Sequence, residues 1–129
     1  ENMILVDAAP KGCTVVHSDS AEGIQRLNQE AAKGMAFGRR MGVEISPEHA
    51  IRWLTQNAAK AIGLEQKIGT LEAGKGADVV IWNGNPFSVY ALTERIFIDG
   101  AVRFERESPR RESESDFLLG QPAAMGVIR

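Results

Sequence analysis

Apolar residues fall into two patterns along this chain, helical spacing in the first half and short strand-like runs in the second. Met3-Ile4-Leu5-Val6-Asp7-Ala8-Ala9 reads as the end of a helix, stopped by Pro10 and the Lys11-Gly12 turn. Cys13 to His17 is short, rich in β-branched residues and does not alternate, which predicts a parallel strand covered on both faces. Asp19-Ser20-Ala21-Glu22 then offers a capping box, in which a hydroxyl or carboxylate accepts from free amides and Glu22 reaches back. Ile24, Leu27, Ala31, Met35 and Gly38 follow at helical spacing, completing a strand, loop and helix unit.

Ser46-Pro47-Glu48 is a second helix start, with a cap, a proline at the first helical position and an acid in the first turn. Ala50, Ile51 and Leu54 give that helix its apolar stripe. Thr55-Gln56-Asn57 breaks it, and Asn57 is expected to cap a shorter helix through Ala58-Ala59-Lys60-Ala61-Ile62 that ends at Gly63. Beyond Gly63 the pattern changes. Ile68-Gly69-Thr70, Ala77 to Trp82 and Arg95 to Ile98 read as strands, and Asp99-Gly100 before Ala101-Val102-Arg103-Phe104 is a strong two-residue hairpin signal. Arg106 to Asp116 is almost all charge, Ser and Pro and reads as a solvated linker, after which Phe117-Leu118-Leu119 is a short patch able to dock. No internal repeat is evident.

The length of 129 residues suits one modest domain and falls short of the about 250 that a full β/α barrel takes. With 43% hydrophobic residues, 25% charged and a net charge of -2, the composition is that of a soluble globular protein with no electrostatic reason to bind nucleic acid or an acidic membrane. The single cysteine, Cys13, has no partner for a disulfide within one chain, and its apolar neighbours predict a small packed hydrophobe. No run approaches the roughly 18 apolar residues of a membrane span, and the first residues lack a signal peptide's basic and apolar regions. The compartment stays open between cytoplasm and periplasm.

Candidate chemistry gathers at His17-Ser18-Asp19, an imidazole, a hydroxyl and a carboxylate at the carboxyl end of the expected strand, where α/β enzymes assemble their sites. An aspartate there is also an ordinary helix cap. His17 and Asp19 are two residues apart, so on a strand their side chains share one side, and His17 is expected to support or pack rather than ligate. Ser20 is expected to cap amides. His49, in the first turn of an amphipathic helix, reads as a surface residue. Gly69, Gly74 and Gly76 mark turns rather than a phosphate loop, since a strand and not a helix follows them. Trp53 and Trp82 lack a basic surround and belong to the core or a domain boundary.

Taken together, His17-Ser18-Asp19-Ser20, Glu30-Ala31-Ala32, Ala50-Ile51 and Thr55-Gln56-Asn57-Ala58-Ala59-Lys60-Ala61-Ile62-Gly63 resemble the end of a metal-dependent amidohydrolase. Closer still are Ile68-Gly69-Thr70-Leu71-Glu72-Ala73-Gly74-Lys75-Gly76-Ala77-Asp78-Val79-Val80, Asn85-Pro86-Phe87 and Ile98-Asp99-Gly100. The resemblance spans about residues 1–105 and is strongest to the imidazolonepropionase-like and Xaa-Pro-dipeptidase-like branch. Ala58 departs from it, since relatives commonly carry proline after the asparagine.

The resemblance implies an α/β fold: the last strand-helix unit of a TIM-like (β/α)8 barrel over residues 1–63, the carboxyl-terminal segment of a small β-sandwich over 64–105, and a charged linker and tail over 106–129. It implies hydrolysis of a carbon-nitrogen bond in a cyclic amide or dipeptide, with a divalent metal, zinc being the expected one. The family's first-strand His-x-His pair, its bridging lysine or acid and its two later histidines have no counterpart here. Only the eighth-strand aspartate carries over, to Asp19, as metal ligand and as general base and then acid. A bound divalent metal lowers the pKa of water from about 15.7 to near 7, and a carboxylate beside it can move the proton to the departing nitrogen. One carboxylate cannot hold a catalytic metal, because zinc sites use three or four protein ligands. The chain alone is therefore expected to be inactive and metal-poor, and its exposed strand edges to favour a homo-oligomer or strand exchange between copies. Two rival classes remain. One is a non-catalytic module completing a barrel supplied by another chain. The other is a metal-free strand-end hydrolase, for which no Gly-x-Ser-x-Gly elbow appears.

Overall fold

The computed structural model describes residues 2–9 and 12–107. In chain order its helices are α1 (Asn2–Asp7), a 3₁₀ turn (Gly23–Arg26), α2 (Leu27–Arg40), α3 (Pro47–Arg52) and α4 (Gln56–Ala61), followed by strands β1 (Val79–Trp82), β2 (Thr93–Ile98) and β3 (Ala101–Glu105). Helices thus give way to strands after Gly63, as the hydrophobic pattern predicts. The expected stop at Pro10-Lys11 and the tail beyond Glu107, with Phe117-Leu118-Leu119, lie outside the described residues.

The helical half is held by a small core of Ile4, Ala31, Ala50 and Trp53, with Met3, Val16, Met35, Val43, Ile45, Leu54 and Phe87 packed against it. Alanines at 31 and 50 let α2 and α3 approach closely, and the space between is filled by the fully buried Trp53. A tryptophan packed this way carries on the order of 3–5 kcal/mol against truncation to alanine. Ser46 caps α3 as expected, accepting the His49 N–H at 3.2 Å. α4 closes at Gly63, where the Leu64 N–H reaches back to the Ala59 carbonyl at 2.9 Å.

Four local expectations are corrected. Cys13 to His17 forms no ladder among the described residues, because a strand exists only by pairing and no neighbouring strand is present there. The long helix begins at Leu27 after a 3₁₀ turn, Glu22 makes no side-chain cap, and Ile24 is exposed instead of joining the apolar stripe. Asn57 lies inside α4, whose N-cap is Thr55, and its side chain is used elsewhere. Ile68-Gly69-Thr70 is turn, tied by the Gly76 N–H to the Lys67 carbonyl at 2.8 Å.

The sheet is antiparallel in the order β1-β2-β3. Asp99 and Gly100 join β2 to β3 with φ of 51° and 76°, the two positive values that a tight hairpin turn of this kind requires. The Asp99 N–H donates to Asp78 Oδ1 at 2.9 Å, fastening the hairpin tip to the loop that precedes β1. Val80, Ile81, Ile98, Val102 and Phe104 all remain exposed on this sheet. Asn28 donates to the Pro86 carbonyl at 2.6 Å, linking α2 to the loop after β1. No described helix is long and apolar enough to cross a membrane.

Candidate functional site

Residues 13–20 run from the helical core out to solvent. Thr14 is buried, its carbonyl accepting the Asn57 side-chain amide at 2.8 Å and its hydroxyl donating to the Met3 carbonyl at 3.4 Å. The Val16 N–H donates to the Trp53 carbonyl at 3.1 Å. Beyond Val16 the chain turns outward. His17 Nδ1 lies 3.4 Å from Asp19 Oδ1, and the two side chains are 72% and 95% exposed.

The serines, not Asp19, organise the following turn. Ser18 Oγ accepts from the Ser20 N–H at 3.1 Å and donates to the Ser20 carbonyl at 3.0 Å. Ser20 Oγ accepts the Gly23 N–H at 2.8 Å, as its expected capping role requires. Asp19 is therefore not used as a helix cap, and its side chain faces solvent beside His17. Among the described residues no three His, Cys, Asp or Glu side chains converge into a metal-binding group.

Cys13 is exposed, against the expectation of a packed thiol, because no covering layer lies over this segment among the described residues. His49 lies at the surface as expected, its side chain 44% exposed, but it is also engaged. Its Nε2 donates to Asp7 Oδ2 at 2.8 Å, and Trp53 Nε1 donates to Asp7 Oδ1 at 2.8 Å. The Asp7 side chain is only 8% exposed, and both of its oxygens are satisfied. Residues 42 and 46 positions apart meet here, which no local spacing could reveal. The available signal was the single charge inside the apolar run Met3 to Ala9, since a buried carboxylate needs partners.

A cavity of about 630 Å³ lies between the α3–α4 face and the loop leading to β1, with Ile51, Leu54, Ile62, Ile68 and Leu71 among its walls. It holds neither His17 nor Asp19.

The amidohydrolase family model matches residues 4–110. The amidohydrolase tasK of Hapsidospora irregularis is 30% identical over 109 residues, which cover 81% of this chain and 10% of that protein. An imidazolonepropionase of Shewanella oneidensis is 54% identical over 39 residues, 30% of this chain and 10% of that protein. The crystal structure of an amidohydrolase from Thermotoga maritima superposes with a TM-score of 0.57 at 38% identity, covering 64% of this chain and 20% of that one. The chain thus spans about a tenth of the length of these curated relatives and about a fifth of the solved one. Since the family model takes in most of the sequence and the solved neighbour shares its fold and more than a third of the aligned residues, the chain belongs to the amidohydrolase family.

Proposed function

We propose that this chain supplies the carboxyl-terminal part of a metal-dependent hydrolase of carbon-nitrogen bonds, with Asp19 as metal ligand and as general base and acid. The observation that carries this reading is the state of Asp19: 95% exposed, beside His17, at the end of a segment anchored to the helical core. Residues 1–63 are read as the last unit of a (β/α)8 barrel, 64–105 as a segment of a β-sandwich and 106–129 as a linker and tail. The exposed apolar residues of the sheet support the sandwich reading, because one face of such a sheet is normally covered.

The donor chemistry fits a divalent ion in part. A carboxylate oxygen is an adequate ligand for zinc, and zinc sites use three or four protein ligands, of which this reading assigns one, Asp19, to this chain. When bound, such an ion acidifies water enough to give a nucleophile at neutral pH. The part of this chain is proton transfer. Asp19 takes a proton from the attacking water and returns it to the departing nitrogen, acting first as base and then as acid. His17, with Nδ1 3.4 Å from Asp19 Oδ1, is the side chain placed to orient that carboxylate. A small cyclic amide or a dipeptide is the substrate class, by likeness to the imidazolonepropionase branch.

In the complete polypeptide, Asp19→Asn is expected to lower hydrolysis of a panel of cyclic amides and dipeptides by a factor of about 10² to 10⁴. Full activity in that variant would overturn the assignment. The chain alone is expected to bind little zinc and to hydrolyse nothing, and zinc-dependent hydrolysis by it would overturn the division of ligands. Its unpaired sheet edges are expected to give a homo-oligomer or strand exchange, which a strictly monomeric species in light scattering would contradict.

A further inference from the structure

We propose that Asp7 is a positioning residue for the segment bearing Asp19, acting through Trp53; the proposal rests on the reading of Asp19 given above. Trp53 is held at two points. Its indole Nε1–H donates to Asp7 Oδ1 at 2.8 Å, and its backbone carbonyl accepts the Val16 N–H at 3.1 Å. Val16 is the last anchored residue before His17 and Asp19. The segment has no strand partner among the described residues, so its backbone is fixed to the helices by this bond and by the Asn57 amide on the Thr14 carbonyl.

The indole cannot swing to compensate if Asp7 is lost. Trp53 is fully buried, and a Cβ built at Gly34 would stand 3.1 Å from its Cζ3, so α2 closes one side of the ring. His49 closes another, packing edge-on with ring centroids 5.9 Å apart at 82°. The same imidazole donates to the second oxygen of Asp7 at 2.8 Å. Asp7 thus fixes two side chains of the α3 region from the end of α1, and α3 leads directly to the carbonyl that receives Val16. Asp7 touches neither His17 nor Asp19. Its effect on them passes through the Trp53 ring and main chain.

The test is hydrogen exchange on the full 129-residue chain, with the Gly100 N–H, bonded to the Ala77 carbonyl at 3.0 Å in the distant hairpin, as reference. Asp7→Ala, which removes the acceptor and leaves the Trp53 indole in place, is expected to speed Val16 exchange about tenfold relative to Gly100, as loss of one hydrogen bond to a charged group implies; Trp53→Phe removes the donor but also shrinks the buried ring, so it is expected to speed exchange at least as much. Asp7→Asn keeps an oxygen for the indole and is expected to restore most of the protection. The His17 ring resonances should shift in Asp7→Ala and return in Asp7→Asn. Val16 exchange that tracks Gly100 in all three variants would overturn the proposal. Should the variants not fold, the parent chain decides it: the Trp53 indole N–H and the Val16 amide are expected to open together in mild denaturant, and independent opening overturns the link. Asp19→Asn is expected to leave Val16 exchange unchanged, so failure of the catalytic reading and failure of the positioning role are separately visible.

Discussion

Asn57 donates its side-chain amide to the carbonyl of Thr14 at 2.8 Å, joining α4 to a segment 43 residues earlier. Thr14 is 4% exposed, so its carbonyl has no ready replacement from water. Asn57→Ala is therefore expected to cost about 1–3 kcal/mol, read as a lower urea midpoint at unchanged slope. Asn57→Asp should be worse at neutral pH, because a carboxylate cannot donate and would face the carbonyl oxygen. A midpoint equal to the parent's in both variants would contradict this account.

Two glycines in one loop separate backbone strain from steric exclusion. Gly69 has φ of 93° and a Cβ there would stand 2.6 Å from Ala59 Cβ and 3.2 Å from the Thr55 carbonyl, whereas Gly74 has φ of 90° with nothing within 4 Å. Gly74→Ala is expected to cost about 1–2 kcal/mol from the left-handed backbone alone. Gly69→Ala carries the same strain plus displacement of the loop from α4, an additional 1–3 kcal/mol or about that. Equal thermal midpoints for the two variants would show that the loop can move away freely.

Glu72 gives the loop a pH dependence of defined sign. The Thr70 hydroxyl, and after it the charge of Lys75, lower the Glu72 pKa below its ordinary value of 4.5. Lys75 also donates to Thr70 Oγ1 at 2.6 Å and to the Glu65 carbonyl at 2.7 Å, so it staples the loop. A carboxylate with a depressed folded-state pKa contributes stability that is complete above 4.5 and is lost as pH falls through the folded value. Between neutral pH and about pH 3 the parent should lose more unfolding free energy than Glu72→Gln. A difference between the two that does not change with pH would remove Glu72 from the loop's energetics.

The exposed Cys13 should react with a thiol reagent in native buffer to the same extent as in denaturant. Its position in an apolar run suggests protection, which only a covering layer would supply. Native-state resistance to labelling would show that the segment is covered in solution and overturn its exposure.

Residues 13–20 mark how far the sequence reaches. The Ser46-Pro47-Glu48 start of α3, the Asp99-Gly100 hairpin and the capping by Ser20 were legible locally, because each depends on a hydrogen bond or a φ value set within a few residues. The family was legible too, through motifs on both sides of Gly63 that the family model also matches. The strand expected at Cys13 to His17 forms no ladder among the described residues, since ladder pairing is supplied by neighbours and not by propensity.

What the sequence by itself determined is the change from helices to strands after Gly63, the tight hairpin and the presence of an aspartate at the outer end of an apolar run. Tertiary structure alone decided that Asp7, His49 and Trp53 meet, that Asn57 grips Thr14 instead of capping its own helix, and that Cys13 faces solvent. The physical reason is range. Caps and turns are settled by bonds a few residues long, whereas a buried carboxylate finds its donors only after the helices pack, and the partners that pack there lie more than forty positions away along the chain.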